Sequence, residues 1–322
     1  MKTFSFSRAG GAALALALGL ACSGAWAAQS ITVSTAVAHD VCGNGNAAND
    51  GASPCANSPD GNTVTIDSAG QVTGFVRGGS SAIAAGDVTA SGNTVTVTGA
   101  VTGNVFGGFA QTGSGNATSS DNTVLIDGGA ISNGSIIGGD AYSATTAATA
   151  TGNTVTIQGS PTFTGVGNLS GGEADVRSNN TLNLHVAGLT VMALYDFQNL
   201  NFFLPAGLTT ASPMLTASNH ATLGTNTVVH VSLEGATLHT GDSFVLLNNV
   251  DVGNTIAAAS ASGTVGGYKY TLEIDASRNL LLTIGASAAA NAAAVPTLGE
   301  SSVALLALLL AGLGLAAMRR KG

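Results

Sequence analysis

The sequence predicts an all-β fold: a parallel β-solenoid (β-helix) closed by a C-terminal β cap, flanked by an N-terminal signal helix and a C-terminal transmembrane helix. Three observations carry this reading. A five-residue β-type segment recurs at nearly constant spacing. Gly is abundant, at 45 of 322 residues. Both ends are apolar runs bordered by basic residues.

The N-terminal element comes first. Lys2 and Arg8 precede the uncharged run Ala12 to Ala21, and Ala25-Trp26-Ala27 is a small-x-small cleavage site. This is the pattern of a secretory signal peptide over residues 1–27. Residues 28–61 then form an N-terminal cap holding Cys42 and Cys55. Two cysteines in an oxidising compartment predict one disulfide. Closing that Gly, Asn and Pro-rich loop is worth about 3 kcal/mol on the loop-entropy model.

The solenoid is assigned to residues 62–188. Asn62-Thr63-Val64-Thr65-Ile66, Asn93-Thr94-Val95-Thr96-Val97, Asn122-Thr123-Val124-Leu125-Ile126 and Asn153-Thr154-Val155-Thr156-Ile157 begin alike, and Asn180-Thr181-Leu182-Asn183-Leu184 is a variant. Gly pairs follow the first four, at 78–79, 107–108, 138–139 and 171–172. Period-two alternation of β-branched and polar residues marks a strand with one buried face. A strand this short cannot bury that face alone, but equivalent strands of successive coils can stack. Val64, Val95, Val124, Val155 and Leu182 then form one internal ladder, with Ile66, Val97, Ile126, Ile157 and Leu184 beside it. The leading asparagines either form a further hydrogen-bonded ladder or take separate turn conformations.

From 189 to 284 the pattern changes to the final coils and a C-terminal β cap, because bare strand edges aggregate. Asp275 to Asn279 reads as a hairpin turn between Tyr268–Ile274 and Leu280–Ile284. Residues 285–294 are an Ala-rich linker. Residues 295–322 end the chain with Val295-Pro296-Thr297-Leu298, the uncharged run Val303 to Met318, and the basic stop Arg319, Arg320 and Lys321. With two preceding serines that run would span about 27 Å as a helix, so inner-membrane anchoring of a precursor is expected.

Charge excludes some functions. Charged residues are only 8% of the chain and the formal net charge is −8. Without its basic ends the exported region is more acidic still. Such a surface repels phosphate backbones, so nucleic acid is not an expected partner.

Two resemblances bear on this architecture. The unit from Gly61 to Gly79, the unit from Asp121 to Gly139 and the Phe-Leu-Pro block around Phe203-Leu204-Pro205 resemble passenger-domain repeats of bacterial autotransporter adhesins. That likeness implies a β-helix displayed outside the cell, although no C-terminal barrel of the self-exporting kind is expected here. Residues 295–322 resemble the IPTL-CTERM tail of Gram-negative bacteria. This implies recognition by an exosortase-type sorting enzyme and delivery to the cell surface or the extracellular space.

Catalytic patterns were sought alongside. Glu173 and Asp175 alternate so as to share a face, and with Asp140 and Arg177 they could line a groove; such paired carboxylates suit glycoside chemistry. His39 and Asp40 lie near the cysteines, and the five histidines show no HExxH spacing. Neither a nucleophile elbow nor a phosphate loop occurs. The expectation is an exported, non-enzymatic surface or matrix protein, adhesin-like or structural, with no cofactor and no metal, contacting extracellular polysaccharide or a neighbouring surface. The rival is a secreted polysaccharide-active β-helix enzyme.

Overall fold

A computed structural model describes residues 28–45, 55, 57–224 and 227–288. All but the last two of these belong to one compact unit that ends at Ala286. Its chain winds through four sheets. The front sheet has eight parallel strands, from Ser30–Val33 through Thr63–Ile66, Thr94–Val97, Thr123–Asp127, Thr154–Gln158 and Thr181–Leu184 to Asn199–Pro205 and Val228–Glu234. The back sheet has eleven strands, among them Val76–Ile83, Val105–Thr112 and Ile136–Ser143. A five-stranded side sheet passes through Ala100–Thr102 and Ala130–Ser132. A four-stranded sheet passes through Ala117–Thr118 and Thr149–Thr151.

The internal ladders follow from the repeat. Val64 pairs with Val95, Val95 with Val124, Val124 with Val155 and Val155 with Leu182. Ile66, Val97, Ile126, Ile157 and Leu184 stack in the same register. Both ladders extend beyond the sequence repeat, back to Ile31 and Val33 and forward to Leu200 and Phe202. All are buried in one continuous core. Each such side chain removed from water contributes about 1.5–3 kcal/mol.

A second, smaller core lies on the other side of the coil. It consists of Val88, Ala90, Ala110, Ala117, Ala141 and Ala148. The Ala and Ser-rich tract at 143–152 therefore contains a buried strand, Thr149–Thr151, with Ala148 and Ala150 facing inward. That core lies between the back sheet, which supplies Ala110 and Ala141, and the four-stranded sheet, which supplies Val88 and Ala117.

At the waist between the cores, the asparagines form a continuous ladder. Asn93 donates to Asn122 Oδ1 through both its backbone N–H and its Nδ2, each at 3.0 Å. Asn122 does the same to Asn153 at 3.0 Å. Asn62 joins at one end, and Asn180 passes the bond to Gln198 at the other. Every ladder asparagine is at most 1% exposed. The Gly pair is the other half of the device. A Cβ on Gly138 would lie 2.4 Å from Gly171 O and 2.8 Å from Asn153 Cβ. A Cβ on Gly139 would lie 2.7 Å from Asn153 Nδ2. Both glycines face inward onto the amide, so the back wall is pinched toward it.

The C-terminal coils end in a switch of strand direction. Ser243–Val250 is parallel to Leu215–Ala221 on one side and antiparallel to Leu280–Ser287 on the other. Ser262–Val265 and Tyr268–Ile274 complete the antiparallel edge. At the hairpin turn Asp275 Oδ1 accepts from Asn279 N–H at 2.8 Å.

The expected fold class needs one correction: the described fold is all-β without the signal helix and the transmembrane helix. Its one helical element among the described residues is the 3-10 turn Ala258–Ser260. No helix among the described residues is long and apolar enough to cross a membrane. The physical reason for doubting the expectation is length, since a spanning helix needs about 20 predominantly apolar residues and the uncharged run Val303 to Met318 is shorter. The expected membrane character, the inner membrane as partner and the inner-membrane-anchored precursor all rested on that helix and are withdrawn with it. Residues 1–27 and 289–322 lie outside the described residues, and with them the expected signal segment, Val295, Pro296, Thr297, Leu298, the run Val303 to Met318, and Arg319, Arg320 and Lys321.

Candidate functional site: a waist groove and a hydroxyl face

The pinch at each Gly pair makes the outer surface of the back sheet concave there. The residue before the pair and the residue after it converge over the resulting groove. One wall is the column Arg77, Phe106, Ile137, Ser170 and Tyr195. The other is Ser80, Phe109, Asp140 and Glu173. Contacts across the bend show the convergence. The rings of Phe106 and Phe109 are 5.7 Å apart, edge to face.

The N-terminal part of the groove is aromatic and cationic. The Arg77 guanidinium lies 5.1 Å, 5.8 Å and 5.2 Å from the ring centres of Phe75, Phe106 and Phe109. It also pairs with Asp40 at 3.1 Å. A cation over aromatic faces is stabilised by the ring quadrupoles, more so when partly desolvated. Arg77 is thereby committed to a structural cluster.

The next coils place acids in the groove. Asp140 and Glu173 are bridge partners on adjacent coils. Burial, and then the neighbouring Glu173 carboxylate, push the Asp140 pKa up to about 7. Tyr195 donates its hydroxyl to Glu173 Oε1 at 2.6 Å, and burial together with that bond raises its own pKa. Ser170 is fully buried and its Oγ has no hydrogen-bond partner.

Of the four residues grouped from sequence, the structure brings Asp140 and Glu173 together and separates the others. Asp175 turns away, its Oδ2 accepting from Ala148 N–H at 2.9 Å. Arg177 binds both carboxylate oxygens of Asp196 at 2.9 and 3.0 Å. Alternation failed because regular strand resumes only at Val176. Tyr195, Ser170 and the phenylalanines went unrecognised. Their signal was the position flanking each Gly pair: Arg77 and Ser80, Phe106 and Phe109, Ile137 and Asp140, Ser170 and Glu173.

The remaining expected positions are structural. Cys42 and Cys55 are joined, with Cα atoms 6.0 Å apart. Asn44 stitches that loop to the back sheet, accepting from Ser80 N–H at 2.9 Å and donating to Ser80 O at 2.8 Å. His185 stacks on Phe203 at 3.9 Å and bonds Glu234 at 2.7 Å. Among the described residues no three His, Cys, Asp or Glu side chains form a metal-binding group.

The front sheet offers a different surface. Its outward positions on the first six strands form two columns in register. All in these two columns are Ser or Thr except Leu125 and Asn183, and Asp127 and Gln158 lie beyond them on the two longer strands. The hydroxyls of Thr63, Thr65, Thr94 and Thr96 bond no described residue. Thr156 and Thr181 accept from Asn183 and Asn199. Neighbouring strands lie about 4.8 Å apart, so the face is a regular array of hydroxyls, those of the second and third strands free.

Comparison with known proteins adds one finding. Residues 293–320 match the IPTL-CTERM motif. No curated protein and no solved structure matches the chain. The chain thus joins an IPTL-CTERM motif to a parallel β-solenoid body.

Proposed function

We propose that this chain is an exported, non-enzymatic surface or extracellular-matrix protein, adhesin-like or structural, sorted through its C-terminal motif by an exosortase-type enzyme. The observation that carries the reading is the motif match at residues 293–320. The body supports it. A stack of coils projects long faces rather than a deep cavity, and the front sheet presents hydroxyls with unused hydrogen-bonding capacity. Such a face suits contact with the hydroxyls of extracellular polysaccharide, where both partners exchange water for one another at little net cost per bond.

The test is the intact mass and location of the protein in its native host, with and without the sorting enzyme. The expected result is a body outside the cell that has lost residues beyond about 296, and full mass when the enzyme is deleted. A double substitution, Pro296→Ala with Thr297→Ala, should reproduce the deletion. Full-length mass and unchanged location in both strains would overturn the reading.

A further inference from the structure

One stretch of the waist groove holds two side chains without hydrogen-bond partners, Asp140 and Ser170. Ser170 precedes Gly171-Gly172 as Phe106 precedes its own Gly pair. Register places Ser170 in the column of Phe106 and Tyr195, and Glu173 in the facing column of Phe109 and Asp140. Ser170 is 0% exposed and its Oγ is unbonded. The carboxylate of Asp140, whose backbone is bridged to Glu173 from the preceding coil, accepts no hydrogen bond from any described residue. Tyr195 closes the far side through its 2.6 Å bond to Glu173. Two carboxylates, an alcohol and a phenol from three successive coils converge on one stretch of groove.

This arrangement is costly without an occupant. A buried hydroxyl with no partner costs about 1–3 kcal/mol, and adjacent carboxylates disfavour each other's ionised forms. Arg77 is the cation nearest in effect to Asp140, yet it is held by Asp40 and three rings. An oxygen-only donor set carrying two negative charges suits a hard divalent cation. Calcium tolerates irregular geometry and completes its shell with water, whereas magnesium demands near-ideal octahedral coordination.

We propose that Asp140, Ser170 Oγ and Glu173 bind one calcium ion, clamping two adjacent coils, with Tyr195 holding Glu173 in place. Two carboxylates without a dedicated loop place the affinity in the range of extracellular modules, a Kd of about 10⁻⁴–10⁻³ M.

The experiment uses the full chain with CaCl2 and, separately, Tb³⁺ as probe, whose emission is sensitised by a nearby tyrosine. Wild type should melt at higher temperature in millimolar CaCl2 and show tyrosine-sensitised Tb³⁺ emission that calcium displaces. Asp140→Asn should abolish both effects while folding normally, Ser170→Ala should weaken them, and Asp127→Asn on the front sheet should leave them intact. A calcium shift of equal size in wild type and Asp140→Asn, or no shift at all, overturns the proposal. The sorting reading stands or falls separately, since these assays report nothing on residues 293–320.

Discussion

The repeat coils and the C-terminal coils keep their strands in register by different means. Through Asn180 the strands of the front sheet pair without interruption, and a buried amide recurs in every coil. In the C-terminal coils the front sheet stays in register, but the back sheet slips, between Val191 and Ala193, Thr216 and Ala221, and Val245 and Leu247. There the ladder has ended at Gln198, and the large buried rings of Phe197, Phe202 and Phe244 occupy the core. A polar ladder needs its donor and acceptor at the same place in each turn, and it passes 27 to 31 residues between asparagines and 18 residues to Gln198. Beyond Gln198 apolar volume takes over, because hydrophobic contact is non-directional and tolerates irregular spacing.

That contrast can be broken at chosen points. The largest effect is expected for Gly138→Ala. Its methyl would collide with Gly171 O, in the next Gly pair, and with Asn153 Cβ, held in the ladder. The expected result is loss of the cooperative unfolding transition, read by circular dichroism; a normal transition would show that the waist can widen. Next is Phe202→Ala in the C-terminal coils, where a truncated core phenylalanine costs about 3–5 kcal/mol. Asn122→Ala should follow closely. It leaves the Asn93 N–H and Nδ2 without their acceptor, at about 1–3 kcal/mol for each buried group. Urea unfolding of the two variants compares volume with ladder directly.

The smallest effect is electrostatic. The Asp140 pKa is raised to about 7 from an ordinary 3.8. The folded state therefore binds more protons than the unfolded state between these values, and stability falls as pH rises through that window. In calcium-free buffer, Asp140→Asn should flatten this slope and melt a few degrees above wild type at pH 8. Equal slopes for the two proteins would show that Asp140 titrates normally.

Much of the coil was legible because its signals repeat. Val64 through Leu182 and Ile66 through Leu184 stack as their spacing implies, and of the two roles open to the asparagines, the ladder is the one adopted. The two-compartment cross-section was not legible. Ala148 and Ala150 have no bulky side chain to mark a strand, yet both are buried, Ala148 within the second core. The groove was half legible. Asp140 and Glu173 hold equal offsets from their Gly pairs, but Asp175 and Arg177 were joined to them by assuming a continuous strand that the bend interrupts. The helices expected at the two ends rested on hydropathy and charge, which carry no information on packing.

The most direct test of the ladder as the spine of the repeat coils is native-state hydrogen exchange at the backbone amides of Asn62, Asn93, Asn122 and Asn153. Each donates to the side-chain oxygen of the next ladder residue. Exchange of all four only through global unfolding, slower than at the slipped pair around Val191, is the predicted result. Exchange through local opening at the asparagines, with full protection persisting in the C-terminal coils, would contradict the account.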